Sequence, residues 1–188
     1  MTEGLPGQEQ RSGQERWPAE PRDDLVGADG GRMRQAMATF ATGVTVITAQ
    51  DGGQQHAMTA NSFTSLSLTP PLVMVSVARA GRFHDPVVRA GRWAVSVLAA
   101  DQQAIARWFA DRGRDRDRQF DGLPVEQSEL TGSPLLQGAL AWFECRTEQL
   151  VEAGDHSLLI GAVLGCRVVE DPRRPLTYYR GEFLPGPG

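Results

Sequence analysis

Ala139-Leu140-Ala141-Trp142-Phe143-Glu144-Cys145-Arg146-Thr147-Glu148-Gln149-Leu150-Val151 and Ser157-Leu158-Leu159-Ile160-Gly161-Ala162-Val163-Leu164-Gly165-Cys166-Arg167-Val168-Val169 are separated only by Glu152-Ala153-Gly154-Asp155-His156. Each stretch is rich in β-branched and aromatic residues and longer than an ordinary strand, long enough to bend around a barrel. Working outward, Val44-Thr45-Val46-Ile47-Thr48-Ala49 runs into the turn signal Asp51-Gly52-Gly53 and opens a hairpin. Leu72–Val77, entered through Pro70-Pro71, and Trp93–Ala99 are continuous apolar runs, expected to be strands buried on both faces. Helical spacing is confined to three short segments. Arg32–Ala41 carries Met33, Met37 and Phe40 on one face, Phe83–Ala90 follows a strand, and Gln102–Asp111 groups Ile105, Trp108 and Phe109 behind Asp101 as an expected N-cap. Many strands, few helices and no sustained β-α-β alternation give a mainly β fold. A closed antiparallel barrel with peripheral helices is expected ahead of a doubly wound sheet.

The 188 residues suffice for one domain with a substantial core. Residues 1–31 hold seven acids against three arginines and few large apolar residues without period, so they read as a disordered acidic leader. That imbalance equals the whole-chain net charge of −4 and leaves residues 32–188 neutral. A neutral domain exerts no general pull on nucleic acid or anionic lipid. No apolar run has the length of a signal peptide core or a membrane span, and the expected setting is the cytoplasm. Cys145 and Cys166 sit in apolar strands without metal-type spacing and read as buried thiols. Every basic residue is Arg, which excludes Schiff-base chemistry and a phosphate-loop lysine, and three scattered histidines make no metal site. So few acid–base groups favour a protein whose bound cofactor carries the chemistry.

Four stretches could hold such a group. In Met58-Thr59-Ala60-Asn61-Ser62-Phe63-Thr64-Ser65-Leu66-Ser67-Leu68, polar side chains before Ser65 fall on both faces of the strand. A buried strand of that kind needs polar partners, as a flat heterocycle rimmed with carbonyls and ring nitrogens would supply, whereas a solvated hairpin strand needs none. Ala80-Gly81-Arg82 lies between a buried strand and a helix start, where backbone N–H groups and a guanidinium can receive a phosphate, or it is a solvated loop. Gly154-Asp155-His156 places an imidazole at a strand start. Tyr178-Tyr179-Arg180-Gly181 could clamp a nucleotide or simply form an edge strand.

Together with Thr42-Gly43-Val44-Thr45-Val46-Ile47-Thr48 and Pro70-Pro71, these motifs stand in an order and spacing that resembles the flavin reductase-like family, the small components of two-component flavin-dependent monooxygenases. The likeness covers about Arg32 to Phe183, and the domain is taken as residues 32–185. The resemblance implies a split β-barrel of the FMN-binding type, a homodimer, FMN or FAD as flavin, and NADH or NADPH as hydride donor to flavin N5. It further implies that Thr59, Ala60, Asn61, Ser62, Phe63, Ser65 and Leu66 line the isoalloxazine and ribityl chain. Ala80, Gly81 and Arg82 would hold phosphate, while Tyr178, Tyr179, Arg180 and Gly181 serve the nicotinamide. His156 lies near the same pocket as a positioning group. Relatives often carry Ser or Thr in the phosphate loop where this chain has Ala80-Gly81, so Arg82 would carry more of the anion. The expected product is reduced flavin for a partner monooxygenase. The alternatives are an oxidase with a fixed flavin and a non-catalytic flavin-binding or assembly module.

Overall fold

The computed structural model describes residues 29–170 and 173–186. The acidic leader therefore falls, but for its last three positions, outside the described residues. Helix α1 (Gly30–Met37) begins two residues earlier than the periodicity places it, because the Asp29 carboxylate accepts the Arg32 N–H at 2.8 Å and caps the first turn. Met33, Met37 and Phe40 are exposed on this chain.

Twelve strands follow: β1 (Thr42–Gly43), β2 (Thr45–Asp51), β3 (Gln54–Ala60), β4 (Thr64–Leu68), β5 (Pro71–Ala78), β6 (Arg92–Val97), β7 (Val125–Gln127), β8 (Pro134–Leu136), β9 (Ala141–Ala153), β10 (His156–Val168), β11 (Leu176–Tyr179) and β12 (Glu182–Pro185). Helix α2 (His84–Ala90) stands between β5 and β6, and α3 (Gln103–Ala110) between β6 and β7. Seven strands form one antiparallel sheet in the order β3-β2-β6-β9-β10-β5-β4, with β1-β11-β12 and β7-β8 as small companions. The hairpin β2–β3 turns on Gly52-Gly53, both at positive φ, where glycine meets no steric penalty.

The fold is mainly β, as expected, but no ladder of hydrogen bonds closes the large sheet, which ends on β3 and β4. Those two edges are nevertheless consecutive in the chain. Only Asn61-Ser62-Phe63 joins them, and four residue steps reach at most roughly 14 Å, so the sheet must curl until its edges nearly meet. Ser62 fastens the link by exchanging bonds with the Ser76 backbone, receiving its N–H at 3.2 Å and donating to its carbonyl at 3.1 Å. β4 pairs with β5 only as far as Met74, which leaves the Ser76–Ala78 end of β5 facing an open seam.

Two clusters fill the curl, one around Ile47, Val75, Phe83, Trp93 and Leu159, the other around Val46, Leu98, Phe109, Leu136 and Leu176 under α3. Three expectations need correction. β6 is buried on both faces from Trp93 to Ser96, but β5 alternates, with Val73, Val75 and Val77 inward and Leu72, Met74 and Ser76 half-exposed. Asp101 caps nothing, because residues 100–102 form a separate 3-10 turn and α3 starts after it. Cys145 is buried, its thiol pushed up to about 12 by burial and Glu144, whereas Cys166 is exposed; both are free thiols.

Candidate functional site

The seam opens into a cavity of about 290 Å³. β3 contributes His56 to Thr59, the end of β5 contributes Val77 and Ala78, and the β5–α2 loop contributes Ala80 to Phe83. The end of α3 and the segment after it supply Phe109, Arg112, Arg114, Arg116 and Gln119. The floor is thus apolar and one wall is cationic.

The loop is shaped by sequence. Gly81 N–H donates to Ala78 O at 2.9 Å, closing a four-residue turn, and a Cβ on Gly81 would stand 2.8 Å from that oxygen. Only glycine closes this turn without displacing backbone. Its N–H is spent on the turn, but those of Ala80 and Arg82 have no partner among the described residues and remain available as donors. Behind the loop, His84 links Asp85 (Nδ1 to Oδ1, 2.8 Å) to Ser157 (Nε2 to Oγ, 3.0 Å). This carboxylate–imidazole–hydroxyl chain has the order of a hydrolase triad. Ser157 is only 1% exposed, however, so no substrate carbonyl reaches it, and the chain instead pins α2 to β10.

The cationic wall is the site's main electrostatic feature. Arg114 is half-buried and locked by neutral acceptors: its Nη1 donates to Phe109 O and Asp111 O, its Nε to Gln119, and its Nη2 to Ala57 O. Arg82 Nη2 donates to Arg112 O, and Arg116 Nη2 donates to His56 Nδ1 at 3.1 Å. Burial, then the neighbouring charges of Arg82 and Arg116, lower the Arg114 pKa from its ordinary value. Burial and the Arg116 charge likewise lower that of His56. His56 must offer a lone pair at Nδ1 to Arg116, so the neutral tautomer protonated at Nε2 is the one that fits. None of the four cavity arginines makes an ion pair among the described residues, whereas Arg79, Arg89, Arg118, Arg146 and Arg167 each do. Like charges gathered without an ion-paired carboxylate leave a cavity suited to an anion.

Of the residues singled out in the sequence, Thr59, Ala80, Gly81 and Arg82 line this cavity. Thr59 commits its hydroxyl to Ala106 O at 2.7 Å. Ala60 is buried at the end of β3, Asn61 is exposed at the crossing, and Ser62 ties the seam. Phe63 packs on Phe143 with ring centroids 5.2 Å apart, while Ser65 and Leu66 stand exposed on β4. His156 does not line the cavity. It heads β10, pairs in register with Ala78, and holds Asp155 Oδ1 at 2.8 Å. Tyr178 and Tyr179 lie on β11, with Tyr178 against Phe183, and Arg180-Gly181 form the turn to β12, both at positive φ. These four are outside the cavity. His56, Arg112, Arg114 and Arg116 are not singled out in the sequence, where Arg112–Arg118 shows only alternating charges.

The Flavin reductase like domain model matches residues 37–187. The chain belongs to that family. This reductase is 40% identical over 170 residues to the NADH-dependent flavin reductase StyB of Pseudomonas fluorescens, covering 87% of this chain and 96% of that one. Among solved structures it is similar to BorF, the flavin reductase component of a bacterial two-component tryptophan halogenase, with 46% identity, a TM-score of 0.80, and coverage of 85% and 99% of the two chains. It is also similar to the NADH:FAD oxidoreductase SgcE6 of Streptomyces globisporus, with 37% identity, a TM-score of 0.80, and coverage of 89% and 100%. The reductase's cavity fits the flavin those names imply. Free loop N–H groups and unpaired guanidinium groups suit a phosphate, and the apolar floor suits a ring face. No helix among the described residues is long and apolar enough to cross a membrane.

Proposed function

We propose that this protein oxidises NADH, reduces FMN or FAD, and releases the reduced flavin to a separate monooxygenase component. The observation that carries the reading is the wall of four arginines without ion-pair partners, placed beside free backbone N–H donors at an apolar cavity. Arg82 and the Ala80 and Arg82 N–H groups would bind the flavin phosphate, and Gly81 keeps their turn closed. Thr59, Ala60, Asn61, Ser62 and Phe63, continued by Ser65 and Leu66, would run along the ring and ribityl chain, since they span the end of β3, the crossing and the start of β4. The bound flavin supplies the hydride-accepting ring and NADH the hydride. The chain's work is to orient the two rings, exclude water, and set donors where negative charge grows on reduction. His156 and the turn Tyr178–Gly181 would position the nicotinamide, without any obligatory acid or base.

The curled sheet is read as a split β-barrel, with residues 32–185 as its domain. A homodimer would cover Met33, Met37, Phe40, Leu66 and Leu68, too many exposed large apolar side chains for a lone soluble chain. A second subunit would also bring residues that a single chain lacks to the open side of the seam. Free thiols and a nicotinamide donor both suit the cytoplasm. The test is steady-state oxidation of NADH with and without added FMN or FAD. Turnover that requires and saturates with added flavin supports the reading. Oxidation by copurified flavin alone indicates a fixed-cofactor oxidase, and no oxidation a binding module.

A further inference from the structure

Gln119 follows directly on the alternating charges of Arg112–Arg118, yet it is only 2% exposed. A polar side chain at that depth needs partners for both ends of its amide. It has them. Nε2 donates to Gln55 O at 2.8 Å and to Arg116 O at 2.9 Å, while Oε1 accepts the Arg114 Nε–H at 3.1 Å. The Trp108 indole N–H adds a bond to the Gln119 carbonyl at 2.8 Å. Gln119 therefore ties β3, α3 and the arginine segment together at one buried point on the cavity wall.

A guanidinium carries five N–H groups. Four of those on Arg114 are taken by Gln119 Oε1, Phe109 O, Asp111 O and Ala57 O, all neutral oxygens. With so few donors left, what Arg114 offers the cavity is charge. Burial and the charges of Arg82 and Arg116 oppose that charge, whereas Asp111 favours it while giving its carboxylate to the Gly113 N–H at 2.7 Å. Three of the four acceptors are backbone carbonyls, which stay neutral whatever the sequence. The acceptor at Nε is different, because it is a side chain. A Glu there would have the same length, form an ion pair with Arg114 and cancel its field, whereas Gln takes the same hydrogen bond and adds no charge.

We propose that Gln119 is a specificity-determining residue: by meeting Arg114 with a neutral acceptor it leaves the guanidinium charge to act on the cavity, and so favours a phosphorylated flavin over riboflavin. The proposal rests on the flavin reductase reading above. Arg114 attracts the phosphate through the lowered dielectric of the cavity wall, without touching it. Gln119→Glu and Gln119→Met separate this charge effect from bracing. Both lose the donor to Gln55 O and Arg116 O, but only Glu sets an anion beside Arg114. Dissociation constants for FMN and riboflavin are measured by fluorescence quenching at pH 8, with melting temperatures to show that each variant is folded. The FMN constant should rise about tenfold more in the Glu variant than in the Met variant, with the two riboflavin constants alike. FMN and riboflavin weakened together, and equally in both variants, would assign Gln119 a bracing role alone and overturn the proposal. Should Gln119→Glu not fold, Arg114→Lys and Arg114→Gln ask the same question from the other partner, since both give up the bracing and only Lys keeps the charge. FMN bound about tenfold more tightly by the Lys variant supports the proposal, and equal affinity overturns it. Wild-type protein that reduces added FMN yet binds riboflavin as tightly also overturns it and leaves the reductase reading standing. Wild-type protein that reduces no flavin would instead sink the reductase reading itself.

Discussion

Arg82 lines the cavity and is held there by Arg112 O, a neutral acceptor that leaves its charge without an ion pair. Arg82→Ala should therefore weaken FMN binding by about 1.5 to 3 kcal/mol, one charge-assisted hydrogen bond, while riboflavin, which lacks the phosphate, binds as before. Fluorescence titration of both ligands reads the difference; equal loss for both would move the phosphate elsewhere. His56 makes a separate prediction about pH. Its folded pKa lies below the ordinary value of 6.5, chiefly through burial and the Arg116 charge. As the pH falls through about 6.5 the unfolded chain takes up a proton that the folded chain refuses. Stability is fully present above that value and is lost progressively on the acid side. His56→Gln keeps an acceptor for Arg116, so melting temperatures between pH 7.5 and 5 should fall less in the variant than in the wild type. Parallel acid profiles would show that His56 does not resist protonation. The Ala80-Gly81-Arg82 turn was legible at this scale because glycine followed by arginine at a strand–helix junction has a local mechanism. Arg114 and Arg116 were not, since alternating charge looks the same whether a loop is solvated or folded back over β3.

At the scale of elements, β6 and β10 meet across β9 where Trp93 lies on Gly161. A Cβ at Gly161 would stand 2.5 Å from Trp93 Cζ2 and 3.1 Å from Cys145 Cβ, and Trp93 has no room to retreat because it is fully buried with its Nε1–H on Thr147 Oγ1. Gly161→Ala should cost about 1 to 3 kcal/mol by overpacking, visible as a lower urea midpoint with an unchanged slope. A neutral substitution would mean that the sheet yields there. The same region explains what sequence patterning could and could not show. Strands were readable from β-branched runs, and the hairpin at Gly52-Gly53 from its turn residues. The bounds of β9 and β10 were set two residues and one residue off respectively, because a two-residue turn at Gly154-Asp155 lets strand pairing continue through Glu152 and His156. β5 read as doubly buried because Leu72, Val73, Met74 and Val75 are all apolar, yet its outer face is half-exposed on a single chain. Patterning reports apolar character, and it is silent on whether another subunit supplies the cover.

For the whole molecule, the decisive property is that the sheet curls without closing. The seam between β3 and the end of β5 is where Thr59, the Ala80–Phe83 loop and the arginine wall converge, so one topological fact places residues from four separate segments around one cavity. No single stretch of sequence contains that site. Resemblance to the flavin reductase family pointed to Thr59 and the Ala80-Gly81-Arg82 loop, which line the cavity, and to the crossing Asn61-Ser62-Phe63, which does not, whereas the cationic wall required the fold. The property that matters above the others is that flavin enters, is reduced and leaves. Anaerobic addition of NADH to the protein with a severalfold molar excess of FMN or FAD, followed at the flavin absorbance maximum, tests it. Reduction of the entire flavin pool, with NADH consumed mole for mole, is the predicted result. Reduction that stops at one flavin per subunit would contradict it and make the flavin a fixed cofactor.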